Sequence, residues 1–166
     1  MGLPQAVILA VAVQRAAELA YARRNTARLL AGGGREHGGG HYPLFILLHG
    51  GWLAALLALT PADAPVCWPL LGAFGLLQAG RVWAVATLGP YWTTRIITVP
   101  GAPLVRGGPY RYLRHPNYAI VAGEIVLLPL AFGQWTIAAA FGLANAALLL
   151  HRIRVEDGVL AERSHG

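Results

Sequence analysis

Apolar residues run along this chain in long unbroken stretches rather than in the alternating or one-face patterns of a soluble fold. The stretches at 44–60 and 66–88 approach or exceed the ~20 residues that a helix needs to cross a bilayer. The apolar stretch from 118 to 151 is too long for one crossing and carries Gly133-Gln134 near its middle. That predicts a tight helical hairpin with short arms at 117–132 and 135–150. The stretch at 3–13 reaches span length if its helix continues through Arg15 and Glu18 to about Ala22; those two charges, three apart on one face, can pair. The pattern predicts an all-α integral membrane protein of about five transmembrane helices. Its spans lie at about 3–22, 44–60, 66–88, 117–132 and 135–150, with a cap at 89–116 and a tail at 151–166, all in one membrane-embedded domain over 1–166.

Charge turns this pattern into an orientation. Only 12% of the 166 residues are charged and 56% are hydrophobic, where a soluble domain carries about 25% charged residues. All 13 basic residues are arginine, and against seven acids they leave a formal charge of +6. Nucleic-acid binders need a solvated basic face, so an apolar background with short arginine-bearing segments argues against a nucleic-acid partner and for membrane lipids. Arginines 23, 24, 28 and 35 follow the first span, 95, 106, 111 and 114 follow the third, and 152, 154 and 163 follow the fifth. The alternate connections, 61–65 and 133–134, carry none. By the positive-inside bias the N-terminus is expected outside and the C-terminus in the cytoplasm, in a cytoplasmic (inner) membrane. The first residues lack a basic run before their apolar stretch, so 3–13 is read as part of the mature fold rather than a cleaved signal. Cys67, the single cysteine, excludes an intrachain disulfide and reads as a packing residue.

Several segments carry candidate chemistry. The glycine-rich stretch at 32–40 reads as a flexible connection; its histidines, His37 and His41, have metal-ligand spacing only on a helix, which the glycines disfavour, so no metal site is expected. The 26 residues of 89–114 are too long for a plain connection and too rich in tyrosine, tryptophan and arginine for disorder. They form either an interfacial belt or a cap over a polar cofactor. Pro116 suits the first turn of a helix, whose open N–H groups beside Arg114 and His115 favour an anion. Glu124 shares a helical face with Asn117 and Val121 inside the hydrophobic region, where an acid is costly. It is either functional or a partner for Arg81. His49, inside the second span, either packs through a hydrogen bond or lines a substrate channel. In the tail, Arg152 with Glu156 and Arg154 with Asp157 either pair on a helix surface or grip a charged cofactor.

The blocks Gly-Pro-Tyr-Arg-Tyr-Leu-Arg-His-Pro-Asn-Tyr at 108–118 and Arg-Ile-Arg-Val-Glu-Asp at 152–157 resemble the isoprenylcysteine carboxyl methyltransferase family of integral membrane methyltransferases. Upstream, Trp-Thr-Thr-Arg-Ile-Ile-Thr-Val-Pro-Gly at 92–101 and Glu36 followed by His-Tyr-Pro-Leu at 41–44 resemble the bacterial alkylpyrone and alkylresorcinol O-methyltransferases, encoded beside type III polyketide synthases. The resemblance implies S-adenosylmethionine as cofactor, S-adenosylhomocysteine as product, and a lipophilic acceptor from the bilayer bearing a hydroxyl. It places Leu104, Val105, Gly108 and Tyr110 along the adenosine, His115, Pro116 and Tyr118 in the cofactor pocket and Glu156 as a polar cofactor contact, to which the charge cluster of the tail adds Arg154. Arg114 would face the acceptor oxygen. Beside the resemblance, the residues themselves make Glu124 a second catalytic candidate and His49, Trp92 and Arg95 candidates for the substrate. Asp157 stands where the family usually has a second glutamate, and Ala119-Ile120 where prenylcysteine enzymes commonly have a nearby glycine. Arg-His-Pro-Asn-Tyr also occurs in membrane sterol reductases. The alternatives are therefore a prenylcysteine-type carboxyl methyltransferase, an NADPH-dependent reductase, and a non-catalytic membrane interaction protein whose Arg114 and His115 anchor headgroups.

Overall fold

The computed structural model describes residues 1–102 and 105–164, and among these the side chains of all but 41 and 159–164. Five α-helices dominate: α1 (Leu3–Ala31), α2 (Tyr42–Leu59), α3 (Trp68–Leu88), α4 (Pro116–Ala131) and α5 (Trp135–Ser164). Two short strands, β1 (Arg35–His37) and β2 (Ile96–Thr98), pair antiparallel with Glu36 opposite Ile97. The α1, α2, α3 and α5 helices are long and apolar enough to cross a membrane. With 16 residues, α4 is about 24 Å long and falls short of a hydrocarbon layer of about 30 Å.

The helix limits follow local chemistry. Prolines stand in the first turns of α1, α3 and α4, where a missing N–H costs nothing. Gly133, at φ 72°, turns the chain between α4 and α5, and the Gln134 N–H closes the turn on the Pro129 carbonyl at 2.9 Å. Both ends of the helical set run further than the apolar pattern indicates. The α1 helix continues past Ala22 to Ala31, until three glycines stop it, and the expected tail is a continuation of α5, so the second hairpin arm is long. Residues 151–157 contain no helix breaker, and their charges lie on the last turns of α5 rather than on a separate segment.

Packing runs from α1 to α2, α2 to α5, α5 to α4 and α4 to α3. The buried core joins Ile8, Val11, Leu48, Trp52, Phe74, Ile125, Leu128, Phe132 and Ile137. Leu47, Leu76, Val82, Trp135 and Leu143 are exposed, as befits side chains whose solvent is lipid. Cys67, expected to be packed, is exposed too, just ahead of α3. Small residues let α3 and α4 approach: a Cβ on Gly80 would touch Ile120, and one on Gly123 would press on Leu77.

The remaining side of the bundle, between α1 and the α3–α4 pair, closes through charge. The Glu124 carboxylate, 1% exposed, accepts from Arg15 at 2.6 Å, Arg81 at 3.1 Å and Gln78 at 2.7 Å. Glu18 takes the other sides of the same arginines, from Arg15 at 3.0 Å and Arg81 at 2.8 Å. Two cations and two anions thus cancel inside the bundle. On the outer face an open groove lined by Ala17, Tyr21, Val82 and Ala86 still separates α1 from α3. Removing one partner of a buried pair costs about 3–5 kcal/mol, because the other charge is left uncompensated. Glu124→Leu is therefore expected to lower the thermal unfolding midpoint in detergent sharply, and Arg15→Met combined with Glu124→Leu to recover part of the loss; an unchanged midpoint in the single variant would show that the network does not hold α1.

Candidate functional site

The site is built where the arginine-bearing segments meet. After α3 the chain doubles back across the end of α1. There Asn25 donates to the Trp92 and Gly89 carbonyls at 2.9 and 3.2 Å, and Arg28 donates to the Pro90 carbonyl at 2.7 Å. Residues 96–98 then form β2 against β1, so the glycine-rich segment expected to be a flexible connection supplies a strand. Two side-chain pairs stabilise that ribbon: Arg95 donates to both Glu36 oxygens at 2.8 and 3.0 Å, and His37 meets the Thr98 hydroxyl at 2.9 Å. Arg95 also lies over the Tyr42 ring, 4.7 Å from its centre. The Glu36 carboxylate holds the Arg95 guanidinium above its ordinary range.

Under this cap lies a cavity of about 490 Å³, walled by α1, α2, the cap and the starts and ends of α4 and α5. Its volume falls in the ~300–1,000 Å³ range of small-molecule sites. Of the expected site residues, Tyr110, Arg114, His115, Pro116, Tyr118, Glu156, His49, Trp92 and Arg95 all line it. Among the described residues, Val105, Gly108, Glu124 and Arg154 do not; Leu104 lies outside the described residues. Gly108, Glu124 and Arg154 have physical reasons. Gly108, at φ 53°, is pressed against Thr87 and Trp83 of α3 so tightly that a Cβ would clash; it shapes the cap from behind. Both Glu124 oxygens are taken by the buried network, Arg81 among their partners, and the carboxylate stands behind the cavity wall rather than in it. Arg154 is exposed, because residues two apart on a helix point about 200° apart. Its neighbour Arg152, 8% exposed, is the arginine that faces the cavity.

Arg152 organises the inner wall. It donates to the Tyr118 hydroxyl at 2.7 Å and to the Thr94 carbonyl at 2.8 Å, and lies 5.2 Å from the centre of the Phe45 ring. The Tyr118 hydroxyl in turn donates to Glu156. The His115 ring stacks on Tyr118 with centres 5.2 Å apart, and its Nε2 meets Asp157 at 3.0 Å. Asp157 also receives Arg114 at 3.4 Å, so the shorter acid still reaches both residues of the Arg-His pair. Arg114 has a side chain 65% exposed and stands at the rim. Burial, reinforced by the negative charge of Glu156, pushes the Tyr110 hydroxyl up to about 12. It stays a protonated donor at any physiological pH.

The α2 wall was only partly legible from sequence. His49 was singled out, but Tyr42, Phe45 and Leu53 line the same cavity and recur with helical spacing on its face. Thr94 has no signal beyond membership in its motif, whereas Arg152 is legible through its four-residue spacing from Glu156.

Residues 70–162 match the model of the isoprenylcysteine carboxyl methyltransferase (ICMT) family. A Bacillus subtilis (strain 168) protein named "Uncharacterized protein YpbQ" is 43% identical over 162 residues, covering 95% of this chain and 96% of its own. No solved structure matches the chain. The family match spans α3, the cap, α4 and most of α5; the α1 and α2 walls of the cavity lie before it.

Arg152→Ala removes the cation that Tyr118 and Glu156 share, whereas exposed substitutions usually stay within about 0.5 kcal/mol. The thermal midpoint is therefore expected to fall clearly in Arg152→Ala and to stay at the wild-type value in Arg154→Ala; the reverse order would contradict the assigned helix phase.

Proposed function

We propose that this chain, which belongs to the isoprenylcysteine carboxyl methyltransferase family and is thereby a membrane methyltransferase, uses S-adenosylmethionine to methylate an oxygen of a lipophilic acceptor. The acceptor we favour is the hydroxyl of a long-chain alkylpyrone or alkylresorcinol, the kind of lipid that a type III polyketide synthase supplies. One observation carries the reading: a single cavity joins the motif residues of the cap, α4 and α5 to an apolar wall of Ala12, Ala16, Ile46 and Leu53 on α1 and α2. Donor and lipid can therefore meet in one space.

The donor end suits the cofactor by its chemistry. Glu156 and the hydroxyls of Tyr110 and Tyr118 offer partners for hydroxyl and ammonium groups. The faces of His115, Pro116 and Tyr118 are flat and apolar, and aromatic faces attract cations. S-adenosylmethionine supplies an electrophilic methyl group on a sulfonium. The protein mainly holds the two reactants in line, which can contribute about 7–11 kcal/mol to lowering the barrier. A fixed positive charge near the acceptor oxygen stabilises the oxyanion. Arg152 suits that role better than Arg114, since an exposed charge is screened by water. The arginine-rich end that holds the cavity then faces the cytoplasm, with the N-terminus outside.

S-adenosylhomocysteine is expected to bind the detergent-solubilised protein saturably, and NADPH not at all, with methyl transfer to alkylpyrone or alkylresorcinol exceeding transfer to prenylcysteine. In His115→Ala, loss of the ring weakens S-adenosylhomocysteine by about tenfold or more, equivalent to about 1.4 kcal/mol. Unaltered affinity in that variant, or binding of NADPH instead, would overturn the assignment.

A further inference from the structure

We propose that His49 is the proton acceptor of the transfer, and that it fits the site to an acceptor whose hydroxyl arrives protonated. The inference rests on the methyltransferase reading above and deepens it. His49 Nδ1 lies 2.9 Å from the carbonyl oxygen of Phe45, one turn earlier in α2. A carbonyl only accepts, so in the neutral ring Nδ1 carries the hydrogen and Nε2 holds the lone pair. Nε2 lies across the ring from that anchor and has no partner among the described residues, while the side chain lines the cavity. The hydrogen bond fixes the ring; the remaining nitrogen is left for a ligand.

The charges around the ring point to the same acceptor. Arg15 and Glu18 of α1 and Arg81 of α3 are the charged groups that act on His49, and Arg152 of α5 lies over the neighbouring Phe45 ring. Each arginine that lines the cavity is already met. Arg15 and Arg81 meet Glu18 and Glu124, Arg95 meets Glu36, and Arg114 meets Asp157. Arg152 meets Glu156 through the Tyr118 hydroxyl. A lipid carboxylate would bring a full negative charge to cations that already face acids, whereas the charge that a phenol oxygen develops during the transfer needs only Arg152, whose acid lies one hydroxyl away. A phenolic hydroxyl, with a pKa near 10, enters uncharged and must lose its proton during the transfer. His49 Nε2 takes that proton as the acceptor oxygen bonds to the methyl carbon. The methyl–sulfur bond of the sulfonium donor breaks with its electron pair staying on sulfur, and the ring later releases the proton to water. His49 lies on α2, before the family-matching segment at 70–162, on the same helix as Ile46 and Leu53 of the apolar wall.

The test uses the full chain in nanodiscs, with 5-pentadecylresorcinol and hexadecanoic acid as matched acceptors. With histidine labelled by ¹⁵N, adding 5-pentadecylresorcinol to the wild type without donor is expected to shift the Nε2 resonance assigned to His49 by its disappearance in His49→Gln. Kinetically, His49→Gln is expected to keep S-adenosylhomocysteine affinity within about twofold. It should lose about 10²-fold or more in methylation of the resorcinol at neutral pH, the scale of general-base catalysis, and the deficit should shrink as pH rises toward the phenol pKa. An unmoved Nε2 resonance, or His49→Gln methylating the resorcinol as fast as wild type, or an equal deficit at every pH, would overturn the role of His49. A wild-type chain that binds no S-adenosylhomocysteine would instead overturn the methyltransferase reading itself.

Discussion

Two arginines and two glutamates, buried where hydrocarbon would otherwise meet hydrocarbon, hold the first helix to the rest of the bundle. Ionisable groups at such depth are costly unless they find one another. Arg15, Glu18, Arg81 and Glu124 do so within 3.1 Å or less for every pair. The consequence is geometric. Because α1 meets α3 and α4 through long side chains, its backbone stands off from them, leaving an outer groove on one side and room for the cavity on the other. Ala12, Ala16 and Leu19, the α1 contribution to the cavity, sit on the turns around Arg15, so the network sets the position of that wall.

The same helix fixes the cap. Asn25 and Arg28 take the carbonyls of residues 89–92, and the ribbon of β1 and β2 locks the following segment through Arg95 and Glu36. A loop of that length would otherwise close over its site at a large entropic cost. The cavity thus draws on two parts of the chain. The motif residues of the cap, α4 and α5 lie in the segment that matches the family, while Tyr42, Phe45 and His49 of α2 precede it and line the same cavity.

Sequence read the membrane class, the five helices and the two motif blocks, because span length and arginine placement are local properties of the chain. It read less where the decisive partner lies far away. The pairing of β1 with β2 depends on Arg95 reaching Glu36, 59 residues distant, and no local pattern in the glycine-rich stretch announces it. Glu124 was visible as an anomaly, but its role turned on Arg15 of α1 and Gln78 of α3, both supplied by tertiary packing. Arg154 was placed in the site by its motif; helical phase alone, applied from Arg152 and Glu156, would have moved the assignment to Arg152. His49 was legible for the opposite reason: a polar ring in an apolar stretch stands out wherever its neighbours lie.

The central claim is that one cavity under the cap holds donor and acceptor together. An experimental structure of the protein with S-adenosylhomocysteine and 5-pentadecylresorcinol bound tests it most directly. The nucleoside product is expected against His115, Pro116 and Tyr118, with the resorcinol ring in the same cavity beside His49 and its alkyl chain along Ala12, Ala16 and Leu53. Either ligand bound in the outer groove between α1 and α3, or the two in separate sites, would contradict it.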